Sequence, residues 1–154
     1  MVFAFGNLVP AYAQKAPGIE GTYRFVSRDL PDGAVQKAPD VSGLLTFTKT
    51  YRNFNIFWKN SEGKRVSISY VAAYTLTASE YSETSIYRVT NDEIEGKGLS
   101  YDFLGQGGKA PATVENGKIT IPLPLYDEPT LVFEGNTLAA TKAGKFVDHW
   151  EKVK

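Results

Sequence analysis

Short runs in which polar and apolar residues alternate recur along most of this chain, and they constrain its fold more than any other feature. The longest run covers residues 65–77, and similar runs cover residues 81–89, 118–123 and 145–153. Alternation with a period of two gives a β-strand one apolar face and one polar face. These runs therefore predict a sheet that covers an apolar interior with one of its faces.

Turn-forming residues separate the alternating runs. Asn116-Gly117 is the strongest of these signals, because both central residues of a two-residue hairpin need positive φ. Gly135-Asn136 marks a second tight turn close behind it. The chain is thus predicted to be all-β, as an antiparallel up-and-down barrel of about eight to ten strands. A sandwich of two sheets fits the same spacing and stays an alternative.

Composition restricts the classes of function. The chain has 154 residues, no cysteine and a formal net charge of zero, which predicts one domain without disulfides or thiolate metal sites. The balanced charge argues against a nucleic-acid partner, and no apolar run has the length of about 18 residues that a membrane span needs. His149 is the only histidine, so we predict no metal and no cofactor.

The first residues are predicted to stand apart from the barrel. Residues 2–10 are mostly apolar, and Ala11-Tyr12-Ala13 follows them. Small residues two apart after an apolar run are typical of a signal-peptidase site. We interpret residues 1–17 as a signal-peptide remnant or an arm, with cleavage after Ala13, and residues 18–154 as the barrel domain. This predicts a periplasmic or secreted protein, while a first strand at this position is the alternative.

The alternation assigns side chains to the inner wall of the barrel. On the residue 51–59 run the inward side chains are predicted to be Phe54, Ile56 and Trp58, with Arg52 at the end of the same face. On later runs the predicted wall residues are Ile68, Tyr70, Tyr74, Leu76, Tyr81, Ser85, Tyr87, Val89, Tyr101 and Phe103. The wall is therefore apolar but rich in tyrosine, and buried hydroxyl groups need hydrogen-bond partners.

A concave, mostly apolar wall with few polar groups is typical of a small-molecule site. Arg52 is a candidate for binding a ligand carboxylate with its planar guanidinium, although pairing or stacking within the protein is the alternative. The predicted ligand-binding residues are Arg52, Phe54, Trp58, Tyr70, Tyr74, Tyr87 and Tyr101. No catalytic residue is assigned.

Two stretches of the chain resemble a known family. Gly21-Thr22-Tyr23 begins the first strand, and His149-Trp150-Glu151-Lys152 lies in the last. The pair resembles the lipocalin and calycin pattern, in which a basic residue of the last strand covers an aromatic ring of the first. Together with residues 39–48, the chain is similar to the bacterial lipocalin-like domain family. The resemblance implies a lipocalin-like barrel with a central cavity and implies no particular activity.

Three further features are predicted to be unremarkable. The Gln106-Gly107-Gly108 stretch lacks the pattern of a phosphate-binding loop and is expected to be a mobile loop. His149 is expected to point outward or lie at the rim. The acidic residues Glu80, Glu83, Asp92, Glu93 and Glu95 are expected to form a solvated rim.

Three functions remain open from the sequence. The leading hypothesis is the binding or transport of a small, partly hydrophobic or amphipathic molecule in the barrel cavity. An isomerase, cyclase or lyase that uses Tyr, Arg and Glu in the same cavity is the second. The third is a structural or partner-binding envelope protein whose barrel is filled by its own aromatic side chains. The volume of the cavity distinguishes the third from the other two, and the oligomeric state is not predicted.

Overall fold

The computed structural model describes residues 18–154, which contain strands and turns but no helix. The predicted signal-peptide remnant and its predicted cleavage point therefore fall outside the described residues, and export stays a prediction. No element within residues 18–154 is a helix of the length and apolar character needed to cross a membrane. The first seven strands are β1 (Gly21–Asp29), β2 (Val35–Gln36), β3 (Val41–Phe47), β4 (Tyr51–Lys59), β5 (Arg65–Leu76), β6 (Glu80–Asp92) and β7 (Gly98–Asp102).

The remaining strands complete one antiparallel sheet. They are β8 (Gly107–Pro111), β9 (Thr113–Glu115), β10 (Lys118–Pro122), β11 (Thr130–Glu134), β12 (Thr137–Lys142) and β13 (Phe146–Lys152). The strand order is β7-β6-β5-β4-β3-β1-β13-β12-β11-β10-β9, with β2 on β1 and β8 on β6. Sequence neighbours pair almost throughout, and the sheet curls strongly into a half-barrel. The prediction of an all-β, up-and-down antiparallel architecture is confirmed.

The 13 strands exceed the expected eight to ten because short segments also pair. The Gln106-Gly107-Gly108 stretch was expected to be a loop, but Gly107 and Gly108 begin β8 and pair with Thr84 and Glu83 of β6. A Cβ atom on Gly108 would lie 2.9 Å from side-chain atoms of Pro124 and Leu125. The absence of a side chain at residue 108 therefore lets β8 approach the loop that follows β10. This contact brings the two sides of the half-barrel together.

The predicted hairpin at Asn116-Gly117 is confirmed. Asn116 has a φ of 51° and Gly117 a φ of 79°, and the turn joins β9 to β10. The second predicted turn, Gly135-Asn136, joins β11 to β12, where Glu134 pairs with Thr137. The register of this part of the sheet thus agrees with the turns that the sequence predicts.

A β-bulge in β6 changes which residues face the interior. Val71 pairs with Tyr87 while Ala72 pairs with Ser85, so Ile86 is the extra residue. Before the bulge Tyr81, Glu83 and Ser85 are buried. An extra residue reverses the alternation, and the even-numbered residues that follow face inward.

The prediction that Tyr87 and Val89 continue the inner wall is therefore wrong. Tyr87 lies on the outer face, where its ring centroid is 6.4 Å from that of Phe103. Tyr101 and Phe103 are 61% and 66% exposed, so their assignment to the inner wall is also wrong. Val89 pairs with Tyr101 on this outer face, and the adjacent pair, Arg88 and Asp102, occupies the inner face.

One end of the barrel is filled by aromatic side chains. We call this end, where β1 begins and β13 finishes, the filled half. Its rings form a continuous chain of contacts with centroid separations of 5.5–5.7 Å, in the order Tyr23, Phe133, Phe47, Tyr74 and Tyr81. All five residues are at least nine-tenths buried. Aromatic pairs of this kind stabilise a core beyond the area that they bury.

The start of β1 and the end of β13 meet beside this aromatic chain. Lys152 Nζ lies 5.8 Å from the centroid of the Tyr23 ring, and Tyr23 donates a hydrogen bond of 3.1 Å to the carbonyl of Ile19. A basic side chain of the last strand therefore covers the aromatic ring of the first.

Candidate functional site

The other half of the barrel encloses a cavity of about 540 Å³. It opens at the end where β1 finishes and β13 begins, where its lining includes Glu95, Lys97 and Lys145. Its apolar lining consists of Leu45, Phe54, Ile56, Trp58, Val66, Ile68, Leu123, Leu131, Ala140, Phe146 and Trp150. Trp150 separates the cavity from the core, and its ring centroid lies 5.3 Å from that of Phe25 and 6.1 Å from that of Phe54.

The sequence-predicted site residues divide into three groups. Arg52, Phe54 and Trp58 line the cavity. Tyr70 and Tyr74 are buried in the interior but do not line it. The structure brings neither Tyr87 nor Tyr101 to the cavity, because both lie on the outer face beyond the bulge.

Arg52 lies at the inner end of the cavity, between the cavity and the filled half. Its two terminal nitrogens donate hydrogen bonds of 2.8 and 3.0 Å to the carboxylate of Glu128. A third bond of 3.3 Å goes to Glu83, which also accepts a bond of 2.8 Å from the Tyr81 hydroxyl. Since protein carboxylates already satisfy these nitrogens, a ligand carboxylate reaches them only by replacing Glu128.

This cluster places two buried carboxylates on one guanidinium. Burial opposes the charge of Arg52, but the attraction and hydrogen bonds of Glu128, with the attraction of Glu83, raise the pKa of Arg52 overall. Burial raises the pKa of Glu83 against the pull of Arg52, and the negative charge of Glu128 raises it further. The pKa of the Tyr81 hydroxyl is also raised by burial. Two carboxylates thus compete for one guanidinium where water screens poorly, and the raised pKa of Glu83 is the consequence.

A second buried ion pair lies on the cavity wall near its opening. Arg28 donates bonds of 2.6 and 2.8 Å to the two carboxylate oxygens of Asp148. The guanidinium carbon lies 4.2 Å from the ring centroid of Phe146 and 5.1 Å from that of Trp58. Burial raises the pKa of Asp148 although the bonds from Arg28 favour its charged form. The bidentate pair and its two rings hold this part of the wall in one geometry.

A third polar group joins β6, β7 and the loop of residues 123–129. The hydroxyl of Tyr126 donates at 3.0 Å to Asp102 and lies 3.1 Å from the Ser85 hydroxyl. The guanidinium carbon of Arg88 lies 4.4 Å from the centroid of the Tyr126 ring. A backbone bond from Leu104, with the bond from Tyr126, lowers the pKa of Asp102. Tyr126 thereby fixes one face of the Arg88 side chain at the cavity wall.

Several of the buried polar atoms around the cavity have no partner among residues 18–154. They are Arg52 Nε, Tyr70 Oη, Glu83 Oε1, Arg88 Nε and Trp150 Nε1. Buried polar groups in folded proteins are nearly always hydrogen-bonded. Arg52, Arg88 and Trp150 belong to the cavity lining, so three of these unpaired donors lie in side chains beside a large apolar surface.

The expectation of a solvated acidic rim fails at Glu83, which is only 3% exposed. A signal for this burial was present in the sequence: the alternation that turns Tyr81 and Ser85 inward also turns Glu83 inward. Glu128, Tyr126 and Arg88 were not found from the sequence. The first two lie in a loop without periodicity, and the inward placement of Arg88 depends on the bulge.

His149 lies on the outer face, as expected, and its Nε2 is 2.8 Å from a carboxylate oxygen of Asp29. Residues 18–154 bring no three His, Cys, Asp or Glu side chains together in a cluster that could hold a metal ion. Comparison of the chain with protein-family models, with curated proteins and with solved structures gives no match. The function is therefore inferred from the site itself.

Proposed function

We propose that this protein binds one small, partly apolar molecule in its cavity. The observation that carries the proposal is a recess of about 540 Å³ whose lining combines a large apolar surface with charged side chains. Cavities of about 300–1,000 Å³ with a few placed polar groups are the usual form of small-molecule sites. We also propose a lipocalin-like relationship, for which the contact between Lys152 and Tyr23 is the support.

The expected driving force is the burial of apolar surface. Each methylene group removed from water contributes about 0.8 kcal/mol. A ligand with a chain of moderate length would then reach micromolar affinity, about −8 kcal/mol. Phe54, Trp58 and Trp150 supply rigid aromatic surface for this contact.

The two alternatives receive less support. The enzyme hypothesis uses the same cavity and needs an acid or base that reaches the ligand. Glu83 is fully buried and does not line the cavity. The buried carboxylates of the lining, Glu128 and Asp148, are held in ion pairs with arginines. The hypothesis of a barrel filled by its own aromatic residues describes only the filled half. The filled-barrel alternative leaves the apolar recess without a role.

The experiment is a fluorescence titration with the methyl ester of dansyl-aminoundecanoic acid, a neutral apolar probe. Ala140 lies on the cavity wall and is 5% exposed, whereas its neighbour Ala139 lies on the opposite face of β12. We expect the wild type and Ala139→Phe to bind the probe with micromolar affinity. Ala140→Phe fills part of the cavity, and we expect it to weaken binding about tenfold or more.

The thermal transition of each variant establishes that it folds. Equal binding by the two variants, or the lack of probe binding by the folded wild type, would contradict the proposal.

A further inference from the structure

Cationic side chains of the cavity wall differ in whether a carboxylate already neutralises them. Arg28 pairs with Asp148, and Arg52 pairs with Glu128 and Glu83. Lys97 pairs with Glu95, and Lys142 pairs with Asp127. Within residues 18–154, only Arg88 and Lys145 of the cavity wall have no such ion pair.

These two cations are not equivalent. Lys145 is an exposed residue next to the turn between β12 and β13, where water screens its charge. Arg88 lies farther inside, in the middle of β6, and is half-buried. Its Nε atom is buried without a hydrogen-bond partner in the described part of the chain. An unpaired buried donor on a guanidinium is costly, so the Arg88 side chain has hydrogen-bonding capacity that residues 18–154 leave unused.

The surroundings of Arg88 hold it ready for that acceptor. Tyr126 lies against one face of its guanidinium, and Tyr126 itself is fixed by its bonds to Ser85 and Asp102. A guanidinium held on an aromatic ring keeps its edge free for planar, bidentate recognition of a carboxylate.

Asp102 is the acidic group that faces Arg88 across β6 and β7, and it could compete with such a ligand. Its carboxylate, however, already accepts bonds from Tyr126, Gln106 and the backbone of Leu104. It makes no hydrogen bond or salt bridge with Arg88 in the described structure. Asp102 therefore holds Tyr126 in place. Its negative charge partly offsets the positive potential of Arg88 but leaves the hydrogen-bond donors of Arg88 unoccupied.

We propose that the ligand is an amphipathic carboxylic acid whose carboxylate binds Arg88 while its apolar part lies against Phe54, Trp58 and Trp150. This proposal rests on the proposed function and specifies its ligand class. Arg52, which the sequence predicts to bind the ligand carboxylate, instead forms ion pairs with Glu83 and Glu128 inside the protein. The guanidinium of Arg88 has five N–H donors, four on its terminal nitrogens and one on Nε. They lie in one plane, which suits two parallel hydrogen bonds to a carboxylate.

The test compares dansyl-aminoundecanoic acid with its methyl ester in the full chain at neutral pH. The variants are Arg88→Gln and, as a control with the same change of charge, Arg65→Gln. Arg65 is exposed at the beginning of β5, outside the cavity. We expect Arg88→Gln to weaken binding of the acid by about 10- to 100-fold, as the loss of a charge-assisted hydrogen-bonded pair requires. Binding of the ester should change less than about threefold.

A third variant tests how the negative charge of Asp102, next to Arg88, affects binding of the acid. Asp102→Asn removes the negative charge that faces Arg88, and we expect it to strengthen binding of the acid more than that of the ester. Retained ester binding shows that a variant still folds and still has its cavity.

The outcomes separate the two proposals. If the wild type binds the ester and the acid, but Arg88→Gln weakens both equally or neither, the carboxylate assignment is wrong and the proposed function stands. A loss of acid binding in Arg65→Gln as large as in Arg88→Gln also overturns the assignment, since overall charge would then explain it. If the folded wild type binds neither probe, both proposals fail.

Discussion

The filled half and the cavity lie on the same strands, yet only one of them is packed. β4 contributes Arg52 at the boundary and Trp58 near the opening, and β5 contributes Tyr74 to the filled half and Ile68 to the cavity wall. In the filled half five aromatic rings touch in series and exclude space. The cavity is also lined by aromatic rings, among them Trp58 and Trp150, but its walls stand apart and leave space between them. Alternation thus determines which side chains face inward, while their packing across the barrel determines whether the interior is full.

The two regions also differ in the number of ion pairs that they contain. Rings and aliphatic side chains dominate the filled half, whereas ion pairs surround the cavity. The Arg52 cluster lies at the boundary and ties the loop of residues 123–129 to β4 and β6 through Glu128 and Glu83. Buried ion pairs contribute little net stability but are costly to break. We therefore attribute stability mainly to the filled half and the shape of the site to the ion pairs.

The largest expected effect comes from truncating one aromatic residue in each region. Phe47 is 1% exposed and contacts two rings of the filled half. We expect Phe47→Ala to lower the free energy of unfolding by about 3–5 kcal/mol, because it leaves a void in a close-packed core. Trp58→Ala, which enlarges an existing cavity, should cost less, about 1–2 kcal/mol. Urea unfolding measures both, and equal costs would contradict the division into two regions.

The next effect concerns the boundary. Glu128→Gln removes the charge that pairs with Arg52, and we expect a loss of about 1–3 kcal/mol in the free energy of unfolding. Glu83 remains as a counter-charge, which limits the loss. Asp127→Asn is the matched control on the same loop, since the Asp127 side chain is 83% exposed. Its cost should lie below about 1 kcal/mol. A control as costly as Glu128→Gln would show that loop geometry, not the buried pair, causes the effect.

The smallest effect is a pH dependence at Glu83. Its pKa is raised in the folded protein from an ordinary value of 4.5, so folding favours the protonated form. The stability linked to this proton is fully present below about pH 4.5 and is lost as the pH rises through the folded pKa. We therefore expect Glu83→Gln to become more stable relative to the wild type between pH 4 and pH 8.

Glu80→Gln, an exposed change on the same strand, serves as the reference for the pH series. Urea unfolding at each pH provides the measurement. A stability difference between Glu83→Gln and the wild type that falls with rising pH would mean that Glu83 is stabilised as a carboxylate instead.

Local patterns in the sequence predicted the strands well. Alternation placed Phe54, Ile56, Trp58, Ile68, Tyr70 and Tyr74 in the interior, where the structure has them. The turn at Asn116-Gly117 followed from the φ angles that such a hairpin requires. These features depend on a few neighbouring residues, which is why sequence reasoning reaches them.

The cavity chemistry was less accessible to sequence reasoning, because it depends on long-range geometry. One extra residue, Ile86, moved Tyr87 outward and Arg88 inward, and nothing in the alternation marks that bulge. Glu128 reaches Arg52 from a loop 76 residues later. Whether aromatic rings fill a barrel or leave a recess depends on how distant strands pack. The pattern of neighbouring residues in the sequence does not specify that packing.

The most direct test of the account is methyl NMR during a titration with the neutral dansyl ester. Ile56 and Ile68 line the cavity, whereas Ile19 and Ile121 are fully buried outside it. We expect the methyl resonances of Ile56 and Ile68 to shift in a saturable manner while those of Ile19 and Ile121 stay almost unchanged. Shifts confined to Ile86 on the outer face, or no shift at Ile56 and Ile68 when the probe is bound, would contradict a binding site in the cavity.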